Sequence, residues 1–170
     1  MHLEESKRIL RHSDLFSELN DIHLGLVLMV CEETKYLADE YIFRQDDPGD
    51  AVYIIARGTV EIVLEPEKAG DASIPVAILG ETSTFGEVIL VDVGSRTASV
   101  RCKTDAQLIR IPRARLLKLC NDYPEIGFHI MRRIAAELAL KLRASNLNIR
   151  EQLFWKPPLA GGASLPDQGA

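Results

Sequence analysis

The chain has 170 residues, of which 46% are hydrophobic, 26% charged and 6% aromatic. That length and balance suit one compact globular domain, not two full ones. Twenty Lys and Arg against 25 Asp and Glu give a formal charge of -5, which argues against a broad basic face for nucleic acid.

From Met1 to about Glu33 the pattern is helical. Leu3, Ile9 and Leu10 predict a short amphipathic helix, and Ser13–Leu19 interrupts it. Asn20 or Asp21 caps a second helix with Ile22, Leu26, Val27 and Val30 as its apolar residues. From about Lys35 to Pro112 the chain is β-rich. Strands are expected at Val52–Ile55, Val60–Leu64, Ile74–Leu79, Thr97–Val100 and Leu108–Ile111, with turns at Asp46–Asp50, Arg57-Gly58 and Glu65–Asp71. Short strands with regular turns imply a barrel or sandwich.

Helix returns from about Arg113 to Trp155. Pro124-Glu125 opens a long one, since proline in the first turn has no N–H to satisfy. Phe128, Met131, Ile134, Ala135, Leu138, Leu142, Ile149 and Leu153 recur at spacings of three, four and seven. The first half of this stripe is expected in the domain core. The second half, Leu138 to Leu153, is expected against a partner helix, with Ser145 and Asn146 in the seam setting register. The competing role is a lid folded back on a pocket. Trp155 anchors the helix end, and Lys156–Ala170 reads as a disordered Pro- and Gly-rich tail. The expected organisation is a domain over 1–143, a helical extension over 144–155 for dimerisation or output, and a tail over 156–170.

Cys31, Cys102 and Cys120 have no paired spacing and read as reduced thiols. The four histidines show no ligand spacing, so no metal is expected. No leader pattern opens the chain, and the apolar stretch Leu24–Cys31 is too short to span a bilayer. A cytoplasmic protein with no membrane partner is expected. The acidic residues Glu32, Glu33, Glu65, Glu67 and Asp71 read as solvated turns. No nucleophile has a positioned base, so neither an enzyme nor a catalytic residue is expected.

The informative stretch is Phe85–Val100. Gly86 permits backbone geometry that other residues resist. Val88–Val91 can form one helical turn, whose leading N–H groups favour an anion. Arg96, nine residues after Glu87, offers a planar fork matched to two phosphate oxygens. A nearby glutamate can accept from a sugar hydroxyl. Phosphate, ribose and apolar base together describe a nucleotide monophosphate.

At these residues the sequence resembles the cyclic nucleotide-binding domain family, whose phosphate-binding cassette reads Phe-Gly-Glu, a short helix, then Arg-(Ala/Thr/Ser)-Ala-(Ser/Thr)-Val. Phe85-Gly86-Glu87 and Arg96-Thr97-Ala98-Ser99-Val100 fit it. Leu15–Leu19, Ile42–Ile55 and Gly58-Thr59-Val60 resemble flanking blocks in the same order, so the likeness spans about Leu15 to Leu142. The resemblance implies an α+β fold: an antiparallel, jelly-roll-like β-roll flanked by N-terminal helices and a long C-terminal helix.

It also implies that Arg96 pairs with the exocyclic phosphate oxygens and Glu87 accepts from the ribose 2′-OH. Gly86 and the amides of Ile89 and Leu90, within the turn begun by Val88, would lie against the sugar-phosphate. Thr97, followed by Ala98, would add a hydroxyl to phosphate or base, while Val76 and Ile78 are candidates for the base pocket. The implied ligand is cAMP or cGMP, with no cofactor. The implied partner is a second copy through the C-terminal helix, or an effector protein, and no DNA.

The chain departs from the family at several points. Ile89 stands where Ala or Gly is usual, and either narrows the pocket or points into the core. Ser95 replaces a common proline, and Asp47 a frequent turn glycine whose left-handed geometry Asp tolerates. Lys141 and Leu142 stand where catabolite activator-type members carry polar base-contacting residues. Two rivals follow: a ligand-free interaction domain of the same fold, and a fragment of a transcription regulator.

Overall fold

The computed structural model describes residues 2–66, 72–92 and 94–154, with side chains to residue 144. Its helices are α1 (Leu3–His12), α2 (Asp21–Leu28), α3 (Arg113–Asp122) and α4 (Pro124–Phe154). Its strands are β1 (Glu32–Tyr36), β2 (Tyr41–Phe43), β3 (Ala51–Arg57), β4 (Val60–Leu64), β5 (Ile74–Leu79), β6 (Thr84–Phe85), β7 (Ser99–Cys102) and β8 (Ala106–Pro112). All pairings are antiparallel, in two four-stranded sheets ordered β1-β8-β3-β6 and β2-β7-β4-β5. The α+β roll with helices at both ends is therefore present.

Strand β3 explains the architecture. Six of its seven residues are buried, because both faces are covered. Val52, Ile54 and Ala56 join Ile109 and Ile111 of β8 in a core shared with the helices. Ala51, Tyr53 and Ile55 join Val60, Val100, Cys102 and Leu108 in a second core containing residues of both sheets. The first sheet thus has the helices on one face and the second sheet on the other.

Several elements depart from the sequence pattern. Glu32 and Glu33 lie in β1, not in a solvated turn: Arg110 of β8 and Arg115 of α3 both pair with Glu32, at 2.7 and 2.9 Å. Glu65 is likewise engaged, accepting from Ser99 Oγ at 2.7 Å and Ser73 Oγ at 2.8 Å. The α2 cap is Asn20, whose side chain accepts from the His23 amide at 2.8 Å. Leu24 and Val27 form the buried face of α2, while Ile22 is exposed. In the turn after β2 the left-handed residue is Asp46, at φ 69°, not Asp47. The expected positions Glu67, Asp71, Trp155 and 156–170 lie outside the described residues, as do the side chains of Ser145, Asn146, Ile149 and Leu153.

Two compact units divide between Ala136 and Glu137. Within the first, the inward face of α4 is Ile126, Ile130 and Ile134, a four-residue spacing that places them on one stripe. Phe128, expected in that stripe, is instead exposed. Glu18, in the turn before α2, accepts from Arg132 and lies 3.4 Å from His129 Nδ1. Arg133 Nε donates to the Asp14 carbonyl at 2.8 Å. Within the second unit, Leu138, Leu140 and Leu142 are exposed and Glu137 pairs with Lys141 at 2.7 Å.

The hydrogen bond from Arg132 holds the Glu18 carboxyl below its ordinary value, against a smaller opposing effect of burial. A carboxyl lowered on folding stabilises above its unfolded value and loses that contribution as pH falls through the folded one. Glu18→Gln is therefore less stable than wild type at pH 7. Thermal midpoints of the two proteins are expected to draw together as the pH is lowered through the folded carboxyl value.

Candidate functional site

The site is built where the loop after β2 meets the segment before β7. Ser95 forms an isolated bridge with Pro48. Asp46 N donates to the Arg96 carbonyl at 2.9 Å, and Arg96 N to the Asp47 carbonyl at 2.8 Å. This pinning forces a bend through Thr97 and Ala98, so β7 begins at Ser99 rather than at Thr97. Arg96 consequently lies in the bent segment before the strand.

Gly86 stands at φ 75°, the left-handed region. A methyl there would lie 2.7 Å from Arg96 Nη1 and 3.6 Å from Phe43 Cε1, so glycine is required by conformation and by space. It caps a short 3-10 turn over Glu87–Leu90, one residue earlier than the turn expected over Val88–Val91. Glu87 is 5% exposed at its start, and Val88 is half-buried. Ile89 and Leu90 send their side chains into the core shared with the helices. Ile89 packs so closely on Gly49 that a Cβ there would sit 2.2 Å from its Cγ2. Of the two readings of Ile89, the structure gives the core-facing one. Gly49 makes the room that a smaller residue at 89 would otherwise provide. The Ile89 carbonyl accepts from Arg113 Nε at 2.6 Å, tying the turn to the start of α3.

Arg96 is 3% exposed. Its Nη2 donates to the Ala51 carbonyl at 2.8 Å and approaches Asp50 Oδ1 at 3.3 Å, while Nη1 lies 3.4 Å from the Gly86 carbonyl. Asp50 is itself held by Arg110, 2.6 Å from its other oxygen. The guanidinium carbon sits 3.9 Å from the centre of the Phe43 ring. Burial pulls its pKa below the ordinary arginine value, with Asp50 and Asp47 pulling the other way. Nε is buried without a partner. A desolvated cation with an orphan donor is an arrangement that an anion completes.

Strands β4 and β5 carry an apolar wall. Ile62 stands between Val100 and Ala77, and Leu64 stands opposite Ile74. Strand alternation places these on one face. Leu64 and Ile74 remain 42% and 61% exposed. Ile78 pairs with Glu61, itself opposite Arg101, on the other face. Val76 is the extra residue of a bulge between the Ile62–Ala77 and Val63–Pro75 pairs. Ile74 through Ile78 are all exposed, but the register pairs Ile74, Ala77 and Leu79 with Leu64, Ile62 and Val60 and so puts them on the face that Ile78 does not share. Thr97 is exposed and Ala98 half-buried beside Arg96. Sequence reasoning missed Phe43, Asp50 and the Ala51 carbonyl as neighbours of Arg96. For the wall, the signal needed was the bulge, which no residue type announces. Among the described residues no group of His, Cys, Asp and Glu is placed to hold a metal ion, and no helix is long and apolar enough to cross a membrane.

Comparison with known proteins places this site in context. A family model described as the cyclic nucleotide-binding domain matches residues 33–123, more than half of the chain. The chain is similar to the CRP-like cAMP-activated global transcriptional regulator of Mycobacterium tuberculosis, at 26% identity over 88% of this chain and 64% of that protein. It resembles the crystal structure of Thermus thermophilus catabolite activator protein, with a TM-score of 0.73 and 31% identity over 84% of this chain and 64% of that one. It also resembles the regulatory domain of Toxoplasma gondii PKA crystallised with cAMP, with a TM-score of 0.62 and 28% identity over 68% of this chain and 43% of that one. The chain thus spans under two thirds of the length of these relatives.

Proposed function

This chain belongs to the cyclic nucleotide-binding domain family, and we propose that it is a regulatory module that binds cAMP or cGMP and couples binding to movement of its C-terminal helix. The observation that carries this reading is Arg96, buried beside Gly86 with an unpartnered Nε. In this reading Arg96 takes the cyclic phosphate and Glu87 the ribose 2′-OH. Gly86, Val88, Ile89 and Leu90 supply backbone along the sugar-phosphate, and Thr97 and Ala98 lie beside the base. Leu64, Ile74 and Ala77 replace Val76 and Ile78 as the apolar wall for that base. The module needs no cofactor and catalyses nothing itself.

Coupling is proposed through α3 and α4. The Ile89 carbonyl is held by Arg113, so a ligand that shifts the 3-10 turn also pulls on α3. It moves the helix equilibrium only as far as it prefers one arrangement. Residues 1–143 form the sensing part and 144–155 the output or dimerisation segment, taking a second copy or an effector protein, with 156–170 as a tail. The proposed compartment is the cytoplasm. Hydrogen exchange along Pro124–Phe154, with and without cAMP, tests the coupling: protection changes if it holds and is identical if it does not. Similarity to transcription regulators, of which this chain spans 64%, favours a second reading as the sensing part of such a protein. A gel shift at varied salt separates the two.

A further inference from the structure

Resting on the cyclic-nucleotide reading of Arg96, we propose that Phe43 is a positioning residue for that arginine: its ring holds the guanidinium in place, with Nε left unpartnered for the phosphate.

The polar partners of Arg96 do not fix it alone. One contact, to the Ala51 carbonyl at 2.8 Å, is short, while those to Asp50 and the Gly86 carbonyl stretch to 3.3 and 3.4 Å. Nε has no partner. Long and therefore weak, two of these three contacts do little to fix the tilt of the guanidinium plane. The Phe43 face, 3.9 Å from the guanidinium carbon, sets that tilt. Cation–π attraction strengthens when the cation is desolvated, and Arg96 is 3% exposed.

The ring is itself held. Phe43 lies 5.9 Å from Tyr53 and 6.0 Å from Phe85, tilted about 40° to both. Tyr53 and Phe85 stack on each other at 5.3 Å. On the chain, Phe43 pairs with Val100 just beyond the Thr97–Ala98 bend. Gly86 borders the same slot, since its missing methyl would touch both Arg96 and Phe43. An aliphatic side chain would fill the volume beside Tyr53 and Phe85 but present no negative face to the cation.

The test compares wild type, Phe43→Leu and Phe43→Tyr for cAMP affinity. A companion cycle measures unfolding of the ligand-free protein for wild type, Phe43→Leu, Arg96→Met and the double variant. The proposal expects Phe43→Leu to weaken cAMP binding about tenfold and Phe43→Tyr to stay within about twofold. It also expects the unfolding cost of Phe43→Leu to shrink about tenfold, as an equilibrium ratio, once Arg96 is methionine. It is overturned if Phe43→Leu binds as wild type does, if Phe43→Tyr loses as much as Phe43→Leu, or if the unfolding cost is equal in both backgrounds. A folded wild type that takes up no cyclic nucleotide sinks the cassette reading and with it the phosphate half of this proposal. The unfolding cycle then decides the Arg96–Phe43 contact by itself.

Discussion

Arg96→Ala is expected to lower cAMP affinity at least about a hundredfold while leaving the fold intact. A guanidinium meeting a phosphate forms charge-assisted bonds of about 1.5–3 kcal/mol each. Two such bonds correspond to about a hundredfold or more in dissociation constant. Stability responds differently. Arg96 carries a burial cost that already lowers its pKa, and removing it relieves that cost. Its loss frees the Ala51 and Gly86 carbonyls, yet Asp50 keeps Arg110 at 2.6 Å. Losing Arg96 also takes the cation from the Phe43 ring, and with the relieved burial cost opposing these losses the ligand-free melting temperature is expected to fall by only a few degrees. Competition with a fluorescent cyclic nucleotide and a thermal melt on the same sample check both halves. A variant that binds cAMP as wild type does contradicts the role assigned to Arg96.

Gly86→Ala is expected to damage both stability and binding. At φ 75° a non-glycine residue costs about 1–2 kcal/mol. The new methyl would also stand 2.7 Å from Arg96 Nη1, so the guanidinium must leave its place on the Phe43 ring. A fall in midpoint of several degrees and at least a tenfold loss of cAMP affinity are expected. Gly86→Asn separates the causes. Asparagine tolerates left-handed backbone better than alanine, but it carries the same Cβ. Stability is therefore partly restored and affinity is not. If Gly86→Asn binds as wild type does, the crowding argument fails.

The parts of the fold that can be read from sequence are those where one residue type has one reason to be there. β3 is a continuous apolar run because both its faces are buried. Asn20 and Pro124 mark helix starts by their own chemistry. The cassette glycine and arginine stand out in the sequence by residue type and spacing, and the structure brings Gly86 and Arg96 into contact. What escapes is set by tertiary pairing. β1 reads Glu-Glu-Thr-Lys-Tyr and becomes a strand because it pairs along β8 from Glu32 opposite Arg110 to Tyr36 opposite Ala106. Residue type leaves Ile89 free either to narrow the pocket or to point into the core, and what decides is Gly49, forty residues earlier, packed against it. The choice of Val76 and Ile78 over Ile74 and Ala77 turns on a one-residue bulge, which exchanges inward and outward faces.

Calorimetric titration of the folded wild-type chain with cAMP and with cGMP asks whether this cassette holds a ring-closed phosphodiester. The account predicts saturable binding of one nucleotide per chain by at least one of the two. Absence of binding by either at millimolar concentration, in a sample whose melt shows it folded, would contradict it.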